Sequence, residues 1–210
     1  MRCATAILIA LAAVSCSRNS NDEMSRFHED GRAKPSVAVA PMLDTTSFDA
    51  SWNLSEELTQ GVMDRVAVTG EIFVHSQQES PFTENPFGAD LAWMKREFQG
   101  EEFVAFLELV EHEFAPVKTK GMTLQEVSSN LNMSIRLRVV DLRTSSPKIV
   151  LQEMIRDSYF VPKTLIPTDY SVDSFGTEGF KKSPMGVAHA QLIQQVAHRI
   201  SDYILLAKSR

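Results

Sequence analysis

The sequence predicts one α/β domain, a mixed and mostly antiparallel sheet with helices packed on it, in the order strand, helix, strand, helix, strand, strand, strand, helix (βαβαβββα). Three observations predict it. Apolar residues recur every four positions at Leu54, Leu58, Val62 and Val66, and again at Leu192, Val196, Ile200 and Ile204, the spacing of a buried helical stripe. Between them Leu131, Met133, Ile135, Leu137 and Val139 alternate with Ser134, Arg136 and Arg138, the period-two pattern of a strand with one covered face. Short apolar runs alternate with helical patterns in the first half and follow one another directly in the second, which makes the sheet mixed.

Taken in order, Pro35 leads into Ser36-Val-Ala-Val-Ala-Pro41, a short buried strand stopped by proline. A polar loop over 44–51 opens onto the first helix. Ser51 or Asn53 caps its start, with Glu56 three residues after Asn53 in capping-box position, and Gly70 suits the residue past its end. Ile72 to Val74 is a second strand. Ser80-Pro81, Asn85-Pro86 and Gly88 mark an irregular loop, because proline disfavours helix in the residue before it. Asp90 caps a second helix, Leu91 to Phe98, closed by Gly100. Phe103 to Val110 is a largely buried strand that turns polar at Glu111-His112-Glu113. The alternating strand Leu131 to Val139 follows, and Thr144 to Pro147 turns the chain into Ile149 to Val161 as an antiparallel hairpin. Pro162 to Lys182 is a long loop. Ser183-Pro184 then starts the last helix, Ser as cap and Pro at the first helical position, with Tyr203 joining the buried stripe and Gln194, Gln195, His198, Arg199 and Asp202 facing out. There is no internal repeat and no low-complexity segment.

The amino end divides the chain into three parts. Residues 1–15 carry Arg2, an apolar run from Ala4 to Val14 and small residues before Cys16, the three-part build of a secretory signal. That run is too short to cross a membrane, which takes ~20 apolar residues. Ala13-Val14-Ser15-Cys16 resembles the lipobox of bacterial lipoproteins, with Ala13 where that family usually has Leu. The resemblance implies cleavage before Cys16, a diacylglycerol on its thiol, acylation of the new amino terminus, and membrane attachment through that lipid. The alternative is an ordinary secretory signal that ends in Cys. Residues 16–34 are polar and read as a flexible tether, since they offer too little apolar surface to offset ordering. Residues 35–210 are the folded domain.

Composition excludes several functions. The chain has 21 Lys and Arg against 27 Asp and Glu, and removing residues 1–15 takes one base and no acid. A mildly acidic protein without a basic cluster has no electrostatic footprint for nucleic acid. Cys3 and Cys16 are the two cysteines, so the processed domain is expected to have no disulfide, thiolate metal site or cysteine nucleophile. Among His28, His75, His112, His189 and His198 no pair has zincin spacing. His112-Glu113 comes nearest to a ligand pair, but without a third ligand it reads as solvated polar side chains. No nucleophile elbow or glycine-rich phosphate fingerprint is present. Glu101, Glu102, Glu108, Glu111 and Glu113 could serve acid–base chemistry if a cleft paired them. Cross-strand pairs with Arg136 and Arg138 on a wet face account for them without an active site. Phe103 and Phe106 read as core, and Trp52, Phe82, Phe87, Trp93 and Tyr170 lie near loops and helix starts. Catalytic residues, cofactors and metal ligands are therefore all expected to be none.

Val37-Ala-Val-Ala-Pro-Met-Leu-Asp-Thr-Thr46, the Leu54/Leu58/Val62 helix, Gly70 to Ser76 and Phe103 to Leu109, in that order, resemble a periplasmic lipoprotein module. It is shared by LpoB-type activators of penicillin-binding proteins, CsgG-type curli secretion lipoproteins and the TolB amino-terminal domain. The resemblance covers roughly Pro35 to Ala207, and Asp44 stands where those loops often have Asn. It implies a non-enzymatic domain that binds another envelope protein or assembles with copies of itself. No pair of long alternating hairpin strands suggests a pore. The expectation is an envelope lipoprotein anchored through Cys16 that binds a protein partner, on the outer membrane facing the periplasm because Ser17 is not the Asp of inner-membrane retention. A hydrolase of envelope polymer using the carboxylates near Glu108 to Glu113, and a ring-forming secretion component, are the alternatives.

Overall fold

The computed structural model describes residues 26–76, 84–117, 127–165 and 168–210. Six strands form one sheet: β1 (Ser36–Val39), β2 (Leu43–Asp44), β3 (Phe73–Ser76), β4 (Phe103–Pro116), β5 (Ser129–Asp141) and β6 (Lys148–Val161). Across the sheet the order is β3-β1-β4-β5-β6, with β2 lying beside β4 beyond the end of β1. β1 runs parallel to both its neighbours and β2 is parallel to β4, whereas β4, β5 and β6 form an antiparallel meander. The helices are α1 (Leu54–Val68), α2 (Met94–Glu97), α3 (Glu178–Lys182) and α4 (Pro184–Lys208), with a 3₁₀ turn at Lys163–Leu165.

The main core lies between one sheet face and the pair α1 and α4. Val37, Val39, Phe103, Leu107, Ile135 and Leu137 meet Leu58, Val62 and Val66 of α1 and Leu192, Val196 and Ile200 of α4. The expected caps are in place. The Asn53 side chain accepts from the Glu56 N–H, that of Ser183 accepts from Gly186 N–H, and Gly70 has φ of 71° just past α1.

Several expectations change. The element order gains β2 at the start of the predicted polar loop, because the Thr45 N–H and hydroxyl both donate to the Leu109 carbonyl and hold that loop against β4. It also gains α3 inside the predicted long loop, its first turn capped by Thr177 accepting from Phe180 N–H. The helix expected over 91–98 shrinks to the single turn α2. Trp93, Met94 and Phe98 instead turn inward to form a second core with Ala38, Val104, Phe106 and Val140 on the opposite sheet face. Alternation along β5 predicts a wet face on that side, and at this end it is covered. Residues 26–34, placed in the tether, include a turn closed by a bridge between Phe27 and Ala33, with Arg26 over the Phe73 ring.

Arg138 marks the largest departure. Expected on the wet face, it is 4% exposed, and its guanidinium donates to the carbonyls of Pro86, Phe87 and Gly88 at 2.7–2.9 Å and to Gln152 Oε1 at 2.8 Å. An irregular segment rich in proline and glycine has no ladder to satisfy its carbonyls, and the five donors of arginine do so here. Arg136, two residues earlier, is partly exposed and pairs with Glu108 across the strand at 3.0 Å, as expected.

Candidate functional site

A bulge in β4 creates the most unusual feature of the interior. Pairing with β5 slips between Leu109 and Glu111, so that Glu111 faces Ser134 and His112 faces Met133. Up to Leu109 the odd-numbered residues of β4 face the main core. One extra residue exchanges the two faces, and beyond it the even-numbered His112 and Phe114 point inward. His112, expected to be solvated, is therefore buried.

There it meets a polar chain. The Trp52 indole N–H donates to Glu57 Oε2 at 2.7 Å, Glu57 Oε1 lies 2.7 Å from His189 Nδ1, and His189 Nε2 lies 2.8 Å from His112 Nε2. Exposures are 2% for Glu57, 1% for His189 and 3% for His112. Glu57 sits in the first turn of α1, His189 in the second turn of α4 and His112 on β4, so the chain ties both helices to the sheet. Phe48 packs edge-on against the His112 ring with centroids 4.3 Å apart, and Phe180 against His189 at 5.8 Å.

The proton count follows from the geometry. His189 Nδ1–H donates to the carboxylate, and the two facing Nε2 atoms share one proton, since two N–H groups at 2.8 Å would oppose each other. Burial, and then the neighbouring His189, push His112 down to about 3 from its ordinary value, so His112 is neutral at neutral pH. Its Nδ1 is buried without a hydrogen-bond partner among the described residues.

Glu57 and His189 also line a pocket of about 220 Å³ between α1 and α4, together with Phe175, Phe180, Gly186 and Ile193. A larger open groove of about 800 Å³ runs between β6 and α4, where Gln195 donates to Asp157 at 3.1 Å and Arg199 faces Glu153 at 3.5 Å.

The residues singled out from sequence are not gathered into a catalytic centre. Glu101 bonds to His75, Glu102 to Lys208 at 2.7 Å, Glu108 to Arg136, and Glu111 accepts from the Ser134 hydroxyl at 2.6 Å, while Glu113 is exposed. Four carboxylates thus go to four separate partners. Phe103 and Phe106 are core residues, on opposite faces of the sheet. Trp93 is buried and Trp52, Phe87 and Tyr170 are partly buried, whereas Phe82 and Cys16 lie outside the described residues. No group of three His, Cys, Asp or Glu among the described residues could hold a metal ion. None of the described helices is long and apolar enough to cross a membrane.

Sequence reasoning missed Glu57 and His189. Their signal was present: Glu57 sits on the α1 stripe between Leu54 and Leu58, and His189 precedes Leu192 by one turn on the α4 stripe. An acid and an imidazole on two buried stripes need each other, because an unpaired buried charge is costly.

A family described as being of unknown function (DUF7499) matches residues 23–208. No curated protein matches the sequence. Among solved structures, the hypothetical protein CT253 from Chlamydia trachomatis is similar with a TM-score of 0.67 at 22% identity, over 82% of this chain and 98% of that one. TolB from Acinetobacter baumannii is similar at 0.38 and 14% identity, over 83% of this chain and 28% of that one. Lipoprotein GNA1162 from Neisseria meningitidis is similar at 0.38 and 12% identity, over 78% of this chain and 99% of that one. The first likeness shows the fold alone, a single α/β domain with helices on a mixed sheet, and the two lower scores add nothing to it.

Proposed function

Since the chain belongs to the DUF7499 family, whose description assigns no activity, we propose from its own residues that it is an envelope lipoprotein, anchored through lipid on Cys16, whose α/β domain binds a protein partner and performs no chemistry. The observation that carries this reading is the leader: an apolar run of signal length ends in Ala13-Val14-Ser15-Cys16 and is followed by a polar stretch before the first strand. One acyl chain holds a protein only marginally, and the several that this processing adds give stable attachment. Ser17 in place of Asp favours the outer membrane, with the domain facing the periplasm. Contact with a partner is supported by exposed apolar side chains at Leu165, Val172 and Phe175 in the connection before α4. Assembly with copies of itself is compatible with the same surface.

The test is metabolic labelling with a fatty-acid analogue in wild type and Cys16→Ser, followed by crosslinking of the labelled form in cells. Loss of label in the mutant, with an envelope protein crosslinked to the wild type, is the expected result. Absence of label in both would overturn the anchor. Label without any crosslinked protein would overturn the partner.

A further inference from the structure

The pocket between α1 and α4 combines an apolar wall with a buried carboxylate, and its occupant can be read from that combination. Its volume of about 220 Å³ exceeds the ~150 Å³ of an apolar cavity that admits benzene. Phe175, Phe180, Ala190 and Ile193 supply the apolar lining, and Glu57 and His189 the polar end. One oxygen of Glu57 accepts from Trp52 and the other from His189, whereas a carboxylate offers about four acceptor sites.

Charge selects the class of ligand. The other ionisable groups lining the pocket are Asp64, which accepts from Gln60 at 2.7 Å, and Lys181, whose ammonium is held by Glu178 at 2.7 Å. An anion would face Glu57 and Asp64, with Lys181 already paired to Glu178. A neutral apolar body would fill the apolar wall but bring no donor to the carboxylate. An ammonium supplies donors to the carboxylate and is attracted by the neighbouring aromatic rings. The geometry points to a binding site for a small primary amine with a short apolar body, its ammonium on Glu57 and its body between Phe175, Phe180 and Ile193. This inference does not depend on the lipid anchor.

Trp52 makes the site observable. Its indole bonds to Glu57 and its ring centroid lies 5.1 Å from that of Phe180, while Trp93, the second of the chain's two tryptophans, is in the other core. In a Trp93→Phe background of the full chain, Trp52 fluorescence would be titrated at neutral pH with n-hexylamine, 1-hexanol and hexanoate, with calorimetry alongside. The expected result is saturable binding of hexylamine, about tenfold or more tighter than hexanol, with no binding of hexanoate. Glu57→Gln should abolish that preference. Phe175→Ala, at the exposed mouth, should weaken hexylamine several-fold without changing the melting temperature, and serves if Glu57→Gln fails to fold. Equal binding of hexanol, stronger binding of hexanoate, or no saturable heat with hexylamine would each overturn the assignment.

Discussion

Gly186, at the start of α4, is held by backbone rather than by side chains. A Cβ there would lie 2.0 Å from the Phe180 carbonyl oxygen and 2.8 Å from its carbon. Helix preference alone favours Ala over Gly by about 1 kcal/mol. Overpacking against main chain costs about 1–3 kcal/mol, and neither contact atom can rotate away. Gly186→Ala should therefore destabilise by about 2 kcal/mol in urea unfolding. At Gly61 the added Cβ would meet the tip of the Ile193 side chain at 2.5 Å, which can move, so Gly61→Ala should stay within about 1 kcal/mol of wild type. For Arg138, lysine is not a conservative exchange. A single ammonium cannot reach the three carbonyls of 86–88 and Gln152 together, and Arg138→Lys should cost about 2–3 kcal/mol by the same measurement.

Among the elements, the bulged β4 sets how stability responds to acid. His112 has an ordinary value of 6.5 when unfolded and is pushed down to about 3 when folded. The unfolded chain therefore takes up this proton first. The stabilisation from neutral His112 is fully present above pH 6.5 and is lost as pH falls towards 3, with a slope approaching one proton. Burial is the larger cause; His189 also opposes the charge on His112, and Asp44 favours it. The full effect is of the order of 5 kcal/mol, because a tenfold change in proton affinity corresponds to about 1.36 kcal/mol. His112→Gln can keep a hydrogen bond to His189 without titrating. Urea midpoints measured from pH 7 to 4 should fall less steeply in this variant by nearly one proton, and an unchanged slope would remove His112 from the account.

Across the whole molecule, protection should follow the order of layers. The meander β4-β5-β6 and the parallel strand β1 lie over the main core, whereas the second core is roofed, among the described residues, by the irregular segment 84–98, tied down through Arg138. Amide hydrogen exchange should therefore be slowest in β1, β4 and β5, reporting global unfolding. It should be faster in residues 84–98 and fastest in the turn at 26–34. In Arg138→Lys the 84–98 amides should accelerate most while the β4 and β5 ladder changes only by the overall loss of stability. Uniform acceleration would mean that the segment is not a separate opening unit.

Much of this architecture was legible in local pattern. The four-residue spacing of α1 and α4, the alternation of β5, the caps at Asn53 and Ser183 and the glycine after α1 depend on residues within a turn of each other, and each is where the pattern placed it. The buried polar chain was not legible in that way. Glu57 and His189 are 132 positions apart and His112 and His189 are 77 apart. One bulged residue decides whether His112 faces water or core. Within each regular stretch, local pattern was enough to say which side chains share a face, because helix and strand periods are properties of the local backbone. Tertiary structure alone decided which faces are covered, burying Arg138 beneath the 84–98 segment and joining His112 to Glu57 through His189, because covering a face requires a distant segment to be folded onto it.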